Sequence, residues 1–259
     1  MLGCGTKNEE LRTASLAVLR SSFFVLRSSF FILRSTRVII PTVPDLDRLG
    51  RQLAFLVEAD KLKQIIRRTP LVDASRQENS AEHSWHMILT AMVVAEHVPD
   101  ALDVPHAIEL MAVHDLVEID AGDTFAYDLD AHKNKAEREE AAAARLFGLL
   151  PQDQASRFRA LWEEFEAQTT PEARFANAID RLQPFLQNAH SGGGSWGRHH
   201  VTRDQVLRRM APIETALPDL WPVVAHLIEQ FCESGVIRTD EPGDINISLM
   251  KDVCDADRK

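Results

Sequence analysis

The sequence predicts an all-α protein, and three observations support this fold class. Apolar residues recur at the spacing of one helix face over Leu49–Val57. Asn79 is followed three residues later by Glu82, a capping pattern that marks the start of a helix before a further apolar run. No segment shows the apolar–polar alternation of a convincing β-strand. These features together predict a helical bundle.

The predicted helices follow one another with short connections. The helix that starts near Asn79 extends to about His97. Pro105 fits the first turn of the next helix, which ends near His114 and Asp115. Further helices are predicted at about 132–149, 152–168, 171–190, 202–216 and 218–234. Loops are predicted at Gly122–Asp130 and at the run SGGGSWG, Ser191–Gly197.

The amino-acid composition and net charge limit the classes of binding partner that we expect for this chain. The chain has 259 residues, of which 45% are hydrophobic and 26% charged, as is ordinary for a globular protein. A net charge of −10 argues against a nucleic-acid polymer as the partner. It does not argue against a single nucleotide, because a metal ion and one or two arginines can supply local positive charge. No two of the three cysteines have CxxC spacing, so we expect neither a zinc ribbon nor a redox motif. Their odd and sparse number is typical of a reducing compartment and predicts a cytoplasmic location.

The first 44 residues differ from the rest of the chain. Three seven-residue units, LRSSFFV, LRSSFFI and LRSTRVI, follow one another in this basic and apolar segment. Such a heptad could form a helix that anchors the domain to a membrane surface. Its serines weaken helix propensity, and its arginines interrupt any apolar run long enough to span a bilayer. We interpret residues 1–44 as an extension outside the fold, 45–238 as one domain, and 239–259 as a loosely packed tail.

Two histidines and two aspartates form the candidate site: His83, His114, Asp115 and Asp180. Imidazole and carboxylate ligands in this proportion suit a divalent transition metal with open positions for water and substrate oxygens. A helical bundle can direct one such ligand inward from each of several helices. If the four residues converge, they predict a metal-dependent hydrolase. The alternative is that each histidine is only a packed or surface residue, and His86 is a rival ligand.

The sequence around these residues resembles the HD-domain phosphohydrolase superfamily, which is named after the His-Asp doublet. The motifs ENSAEHS and HDxxExxxGD and the later aspartate helix occur in the family's order over about residues 50–190. More narrowly, the chain is similar to the bacterial 5′-deoxynucleotidases and their eukaryotic HD-domain-containing-2 relatives. The resemblance implies an HD-domain helical bundle that removes the 5′-phosphate from nucleoside monophosphates, with deoxynucleotides as the expected class.

The resemblance also implies the catalytic roles. The four metal ligands of the family match His83, His114, Asp115 and Asp180. They imply one divalent transition metal, namely Mn, Co, Fe, Ni or Zn. Glu118, one turn after His114, matches the family's catalytic acid and joins the ligand Asp115 as a catalytic residue. A plain surface or salt-bridged glutamate is the alternative interpretation of Glu118.

Three further residues match substrate contacts of the family. Asp123 matches a residue that contacts the sugar hydroxyl, although a turn aspartate is the alternative. Arg68 has the family's spacing of fifteen residues before His83 and matches its phosphate-binding arginine, with Arg67 as a competitor. Thr69 stands where the bacterial enzymes carry a tryptophan that packs against deoxyribose. A ribonucleotide or another small phosphomonoester therefore stays open as the substrate.

Two other functions stay open at this point. One is the hydrolysis of another phosphoester, such as a nucleoside triphosphate, an alarmone or a cyclic dinucleotide, by the same type of domain. The net charge and the number of ligands argue against it. The other is a nucleotide or metal sensor without catalysis, against which the presence of Glu118 and Arg68 beside the ligands argues. We also expect a homodimer, because related proteins often dimerise through helices, and no stable insertion into a membrane.

Overall fold

The computed structural model describes residues 48–98, 101–128 and 130–239. The repeat within residues 1–44 and nearly all of the tail at 239–259 lie outside these ranges. Helices dominate the described residues, which confirms the predicted all-α class. The α-helices are α1 (Arg48–Ala59), α2 (Ser80–Val94), α3 (Val104–Val113), α4 (Glu118–Ala121), α5 (Lys135–Phe147), α6 (Gln152–Ala167), α7 (Pro171–His190), α8 (Gly194–Arg198), α9 (Arg203–Ala216) and α10 (Trp221–Glu233). Single 3₁₀ turns lie at Asp60–Gln64, Ala95–His97 and His114–Val117.

The predicted start of the second helix is confirmed in atomic detail. The Asn79 side chain accepts a hydrogen bond from the Glu82 backbone N–H at 3.0 Å, and the Glu82 carboxylate accepts one from the Asn79 N–H at 3.1 Å. Glu82 also pairs with Arg76 at 2.6 Å. These contacts use the Glu82 side chain to cap α2.

Two short strands correct the expectation that the chain contains no strand. Strands β1 (Ile66–Pro70) and β2 (Gln77–Asn79) pair antiparallel, with an irregular register between Ile66 and Pro70. Segments of five and three residues are too short for a period of two to be recognised in the sequence. This hairpin leads directly into α2, and it therefore places β1 next to the first turn of that helix.

Helix α7 is the centre of the bundle. It packs against α2, α3, α6 and α9, and it is buried on most of its circumference. Ile179 of α7 is fully buried, as are Met87 of α2 and Leu110 of α3. Most side chains of this helix therefore lie inside the protein, and these include the polar side chain of Asp180.

Helix α1 has the predicted apolar stripe, but most of that stripe faces outward. Leu49, Leu53, Leu56 and Val57 are all exposed, and Phe55 is the buried residue of the helix. A second exposed stripe lies on α2, where Trp85 and Val93 are 64% and 67% exposed. Helical periodicity predicted the helix correctly, but it does not say which neighbour covers the apolar face.

The glycine run at Ser191–Gly197, predicted as a flexible loop, contains the short helix α8 and is tightly packed. The Asn188 side-chain oxygen accepts hydrogen bonds from the Ser195 backbone N–H at 2.6 Å and from the Ser195 hydroxyl at 2.9 Å. Trp196 is only 1% exposed. The tryptophan within the run was the sequence signal against a loose loop, because a large aromatic side chain is usually buried.

We expect Gly193→Ala to destabilise the protein much more than Gly192→Ala. Both glycines have positive φ, +93° and +72°, so alanine costs about 1 kcal/mol at either position. A Cβ at Gly193 would also overlap with Val236 Cγ1, whereas a Cβ at Gly192 would meet nothing within 4 Å. Relief of that overlap adds roughly 1–3 kcal/mol. Thermal unfolding of both variants measures the two losses of stability. A second change, Val236→Ala, should restore part of the stability lost in Gly193→Ala. Equal losses in Gly192→Ala and Gly193→Ala would contradict the close packing of Gly193 against Val236.

Candidate metal centre and substrate cleft

Three parts of the bundle bring the four candidate ligands together. His83 lies in the first turn of α2, and Asp180 lies near the middle of α7. His114 and Asp115 begin the 3₁₀ turn that follows α3. Neighbouring residues of an α-helix point about 100° apart. In the 3₁₀ turn at this doublet they point about 120° apart, and both side chains nevertheless reach the same cluster.

The ligand atoms lie at distances that a single ion can bridge. His83 Nε2 is 2.9 Å from Asp180 Oδ1 and 3.8 Å from Asp115 Oδ2. His114 Nε2 is 2.9 Å from Asp115 Oδ1. One atom each of His83, His114 and Asp115 lies within 4.8 Å of the others. The structure thus places all four side chains in one buried cluster.

His114 is prepared to act as a ligand. Its Nδ1 lies 2.8 Å from the Met111 carbonyl oxygen, which can only accept, so Nδ1 carries the proton. The other nitrogen, Nε2, is buried, makes no well-aligned hydrogen bond among the described residues and lies 2.9 Å from the Asp115 Oδ1 carboxylate oxygen. A buried imidazole nitrogen facing a carboxylate oxygen at this distance needs a proton or a metal ion to hold the two together. The position therefore fits a metal ion that takes the place of the proton.

Hydrogen bonds through Gln183 fix the His83 ring in the same way as the Met111 carbonyl fixes His114. The Gln183 amide nitrogen faces the Glu78 carboxylate at 3.3 Å and His86 Nδ1 at 3.0 Å. Its amide oxygen therefore faces His83 Nδ1, which donates to it at 2.6 Å. His83 Nε2 then faces the Asp180 Oδ1 carboxylate oxygen at 2.9 Å, and these two atoms need a proton or a metal ion between them. His86, the rival ligand, contacts Gln183.

The electrostatics of the cluster favour an added positive charge. Burial alone would lower the pKa of His114, but the adjacent Asp115 carboxylate raises it to about 9. Burial would raise the pKa of Asp115, but His114 and Arg67 lower it to about 2. Five carboxylates meet three guanidinium groups here, an excess of two negative charges when every carboxyl is ionised and both imidazoles are neutral. The carboxylates are Glu78, Asp115, Glu118, Asp123 and Asp180, and the guanidinium groups are those of Arg67, Arg181 and Arg209. A divalent cation would balance that charge.

Glu118 is a buried carboxyl group beside the ligands. One of its oxygens, Oε2, accepts a hydrogen bond from the Ser80 hydroxyl at 2.6 Å. Burial, followed by the neighbouring Asp115 carboxylate, raises the pKa of Glu118 well above its usual range. A carboxyl group with a raised pKa can hold and release a proton near neutral pH.

The two adjacent arginines of β1 point to opposite sides of the strand. The Arg67 guanidinium enters the cluster, 3.2 Å from Glu78, 3.3 Å from Asp115 and 3.5 Å from Asp123. The exposed Arg68 guanidinium instead lies over the Phe125 ring, 5.6 Å from its centroid. The structure thus brings Arg67 to the ligands and leaves Arg68 at the rim.

Two adjoining cavities open beside the cluster. The first has about 650 Å³ including its open mouth and is lined by His114, Asp115, Glu118 and Asp180. The second, which we call the aromatic cavity, has about 510 Å³ on the same basis. Its wall includes four aromatic side chains, Phe125, Tyr127, Phe185 and Trp196, together with Arg68 and Thr69. Asp123, Arg67 and Arg209 line both cavities. A molecule with an anionic end and an aromatic end could therefore lie across the two.

Sequence reasoning missed several residues of this site. Gln183 follows Asp180 by three residues, a spacing that places both on one face of a helix, so its position was a usable signal. Glu78 belongs to the segment just before α2, but nothing in the sequence shows that it is buried. Arg181 pairs closely with Asp180, and Arg209 lies 3.8 Å from the same carboxylate. Arg209 comes from α9, and only the tertiary fold brings it to the ligands.

Among the residues that the structure covers, we find no helix with the length and apolar character needed to cross a bilayer.

Comparisons with known proteins identify similar chains. A sequence model of an HD domain matches residues 59–221. The human 5′-deoxynucleotidase HDDC2 is 32% identical over 136 residues, which is 52% of this chain and 65% of the human protein, just under two thirds. The Schizosaccharomyces pombe 5′-deoxynucleotidase hdd1 is 24% identical over 116 residues, 43% of this chain and 57% of that protein. The crystal structure of a predicted metal-dependent phosphohydrolase from Magnetospirillum magnetotacticum MS-1 is 47% identical, with a TM-score of 0.71, covering 77% of this chain and 99% of the other.

Proposed function

This chain belongs to the HD-domain family, and from that premise we propose that it is a metal-dependent phosphomonoesterase acting on nucleoside 5′-monophosphates. The observation that carries the proposal is the buried cluster of His83, His114, Asp115 and Asp180, in which two imidazole nitrogens each lie 2.9 Å from a carboxylate oxygen, next to a cleft with aromatic side chains in its wall. The names of the human and fission-yeast relatives support the nucleotide class. Deoxynucleotides are the class that those names favour.

The metal would be held by His83, His114, Asp115 and Asp180. Two imidazoles and two carboxylates suit Mn, Co, Fe, Ni or Zn, and we propose one ion. When bound, the ion would activate a water molecule and neutralise charge that develops on the phosphate. Gln183 and the Met111 carbonyl keep the two imidazoles in the required tautomer through the hydrogen bonds described above.

Glu118 would transfer the proton of the reaction as a general acid or base. The Ser80 hydroxyl donates to Glu118 Oε2, whereas Oε1 faces the Arg67 guanidinium at 3.9 Å, too far for a hydrogen bond. Oε1 would exchange a proton with the attacking water or the departing nucleoside oxygen. Asp115 would assist Glu118, because its carboxylate lies beside both imidazoles and its negative charge helps to raise the pKa of Glu118.

The nucleoside would occupy the aromatic cavity. Asp123 lies where the two cavities meet and would contact the sugar. Thr69 is buried in the wall of the aromatic cavity, and its small side chain leaves the ribo/deoxy preference less strict than a tryptophan would. The contact of Arg68 with the phosphate stays a prediction, and its position over Phe125 suggests that it would reach the nucleotide from the rim.

Phosphate release from a panel of ribo- and deoxynucleoside 5′-monophosphates tests the proposed function. We expect metal-free protein to be inactive and a divalent transition metal to restore release, because the ligand cluster supplies no Lewis acid by itself. The panel should include Mn, Co, Ni, Zn and Mg. Binding of metal and nucleotide without any release would contradict an enzyme and indicate a sensor.

A homodimer and a cytoplasmic location stay predictions. The exposed stripe of α2, which includes Trp85 and Val93, is a surface that a second copy of the chain would cover. We expect the mass from light scattering to be that of a dimer for the native chain and of a monomer for Val93→Glu. A native protein that is monomeric at all concentrations would contradict this.

A further inference from the structure

Arg209 lies at the point where the two cavities meet. It is carried by α9, and it lines both the cavity of the ligand cluster and the aromatic cavity. Its nearest ion-pair partner is Asp180 Oδ2 at 3.8 Å, which is too long for a hydrogen bond. That same oxygen is already held more closely by Arg181. Within the described ranges, the Arg209 guanidinium makes no hydrogen bond.

The charge around Arg209 is unbalanced. Its guanidinium is a cation, as in any arginine. Arg67 and Arg181 are its cationic neighbours, and its ion-pair partner among the described residues is Asp180, which Arg181 shares. A partly buried cation beside other cations is stabilised when an anion enters the space in front of it.

The other three arginines that line the two cavities are less available to an anion. Arg181 is held closely by Asp180. Arg67 faces the carboxylates of Glu78, Asp115 and Asp123, which neutralise it. Arg68 is exposed and lies over Phe125. Arg209 combines three properties: it is a cation, its donors are free, and it is next to both cavities.

We propose that Arg209 is a substrate-binding residue that holds the phosphate monoester dianion at the junction of the two cavities. This rests on the proposed function, because it assumes that the phosphate lies by the ligand cluster and the nucleoside in the aromatic cavity. The guanidinium fork donates two N–H groups to phosphate oxygens, a charge-assisted arrangement that lysine cannot reproduce.

The test measures binding of inorganic phosphate to the full-length, Co²⁺-loaded protein by calorimetry. The variants are Arg209→Gln, Arg209→Lys and Arg68→Gln, with Arg208→Gln as the matched control. Arg208 is next in sequence, has an exposed side chain and pairs with Asp204 at 3.8 Å, away from the cleft. A Co²⁺ titration followed by visible absorption reports separately whether each variant still binds the metal as the native protein does.

We expect Arg209→Gln to weaken phosphate binding roughly tenfold to a hundredfold. Arg209→Lys should weaken it less, Arg208→Gln should leave it unchanged, and Co²⁺ affinity should stay the same in all of them. Unchanged phosphate binding in Arg209→Gln would overturn the proposal. It would also be overturned if the tenfold to hundredfold loss of phosphate affinity occurred in Arg68→Gln and not in Arg209→Gln. An equal loss of Co²⁺ affinity would also overturn it, because Arg209 would then act through Asp180.

Two further measurements separate this proposal from the proposed function. If Arg209→Gln does not fold, as judged by circular dichroism, the decision passes to Arg209→Lys, for which native-like phosphate binding overturns the proposal. If the native protein releases phosphate from nucleotides while Arg209→Gln behaves identically in binding, only the role of Arg209 fails. If the native protein releases no phosphate but loses phosphate binding in Arg209→Gln, the proposed function fails and the anion site stands.

Discussion

Asp115→Ala is expected to lower metal-dependent phosphate release by about a thousandfold, because a metal ion contributes several kcal/mol to the transition state and each 1.36 kcal/mol is a factor of ten. Asp115 faces His83 with one oxygen and His114 with the other, so its removal opens the centre of the ligand cluster. Initial rates of phosphate release and metal content by elemental analysis measure the two consequences together.

Asp120→Asn is the matched control for Asp115→Ala. Asp120 lies five residues further along and accepts a hydrogen bond from Arg145 at 2.8 Å, so its carboxylate is committed outside the ligand cluster. This variant should retain both its rate and its metal. A variant without the Asp115 carboxylate that still binds one metal and keeps its rate would exclude Asp115 as a ligand.

Glu118→Gln is expected to reduce kcat by roughly 10²- to 10⁴-fold, the range of a lost general acid or base. Glutamine has nearly the same shape, and its amide oxygen can still accept from the Ser80 hydroxyl, so the fold should be preserved. What is lost is the proton, since an amide does not titrate. Steady-state kinetics should show the effect in kcat, with metal content and phosphate affinity close to those of the native protein.

Glu109→Gln provides the comparison for Glu118→Gln. Glu109 is a half-exposed glutamate of α3 that pairs with Arg157 at 2.6 Å. Its loss should leave kcat unchanged. If Glu118→Gln instead lowers metal content and phosphate affinity while kcat per bound metal is native, Glu118 positions the ion and does not transfer protons.

The features of the helices that depend on residues close in sequence were easy to predict. Asn79 and Glu82 cap a helix with contacts between residues three apart, so their roles can be recognised without the rest of the chain. The apolar stripe of α1 also predicted a helix correctly. Its exposure could not be predicted, because periodicity specifies that one face is apolar and not what packs against it.

The short elements were the harder part of the fold. β1 contains two arginines and a proline, and β2 has only three residues, so neither carries a readable strand pattern. The glycine run looked like a loop because three consecutive glycines usually mark one. Trp196 and Asn188 organise it into α8 through burial and hydrogen bonds that involve residues outside the run itself.

In the candidate site, the sequence alone specifies the donor chemistry of the candidate ligands. Histidine and aspartate side chains in the HD motif specify nitrogen and oxygen donors, and these residue types are visible in the chain itself. Which arginine meets the cluster was decided by the tertiary structure. Arg67 and Arg68 are neighbours of similar chemistry, and only the pairing of β1 with β2 determines which of them faces the carboxylates. Arg209 depends on the packing of α9 against α7. Ligand identity is a property of single residues, whereas the charge balance around them arises from segments far apart in sequence, which the folded chain brings together.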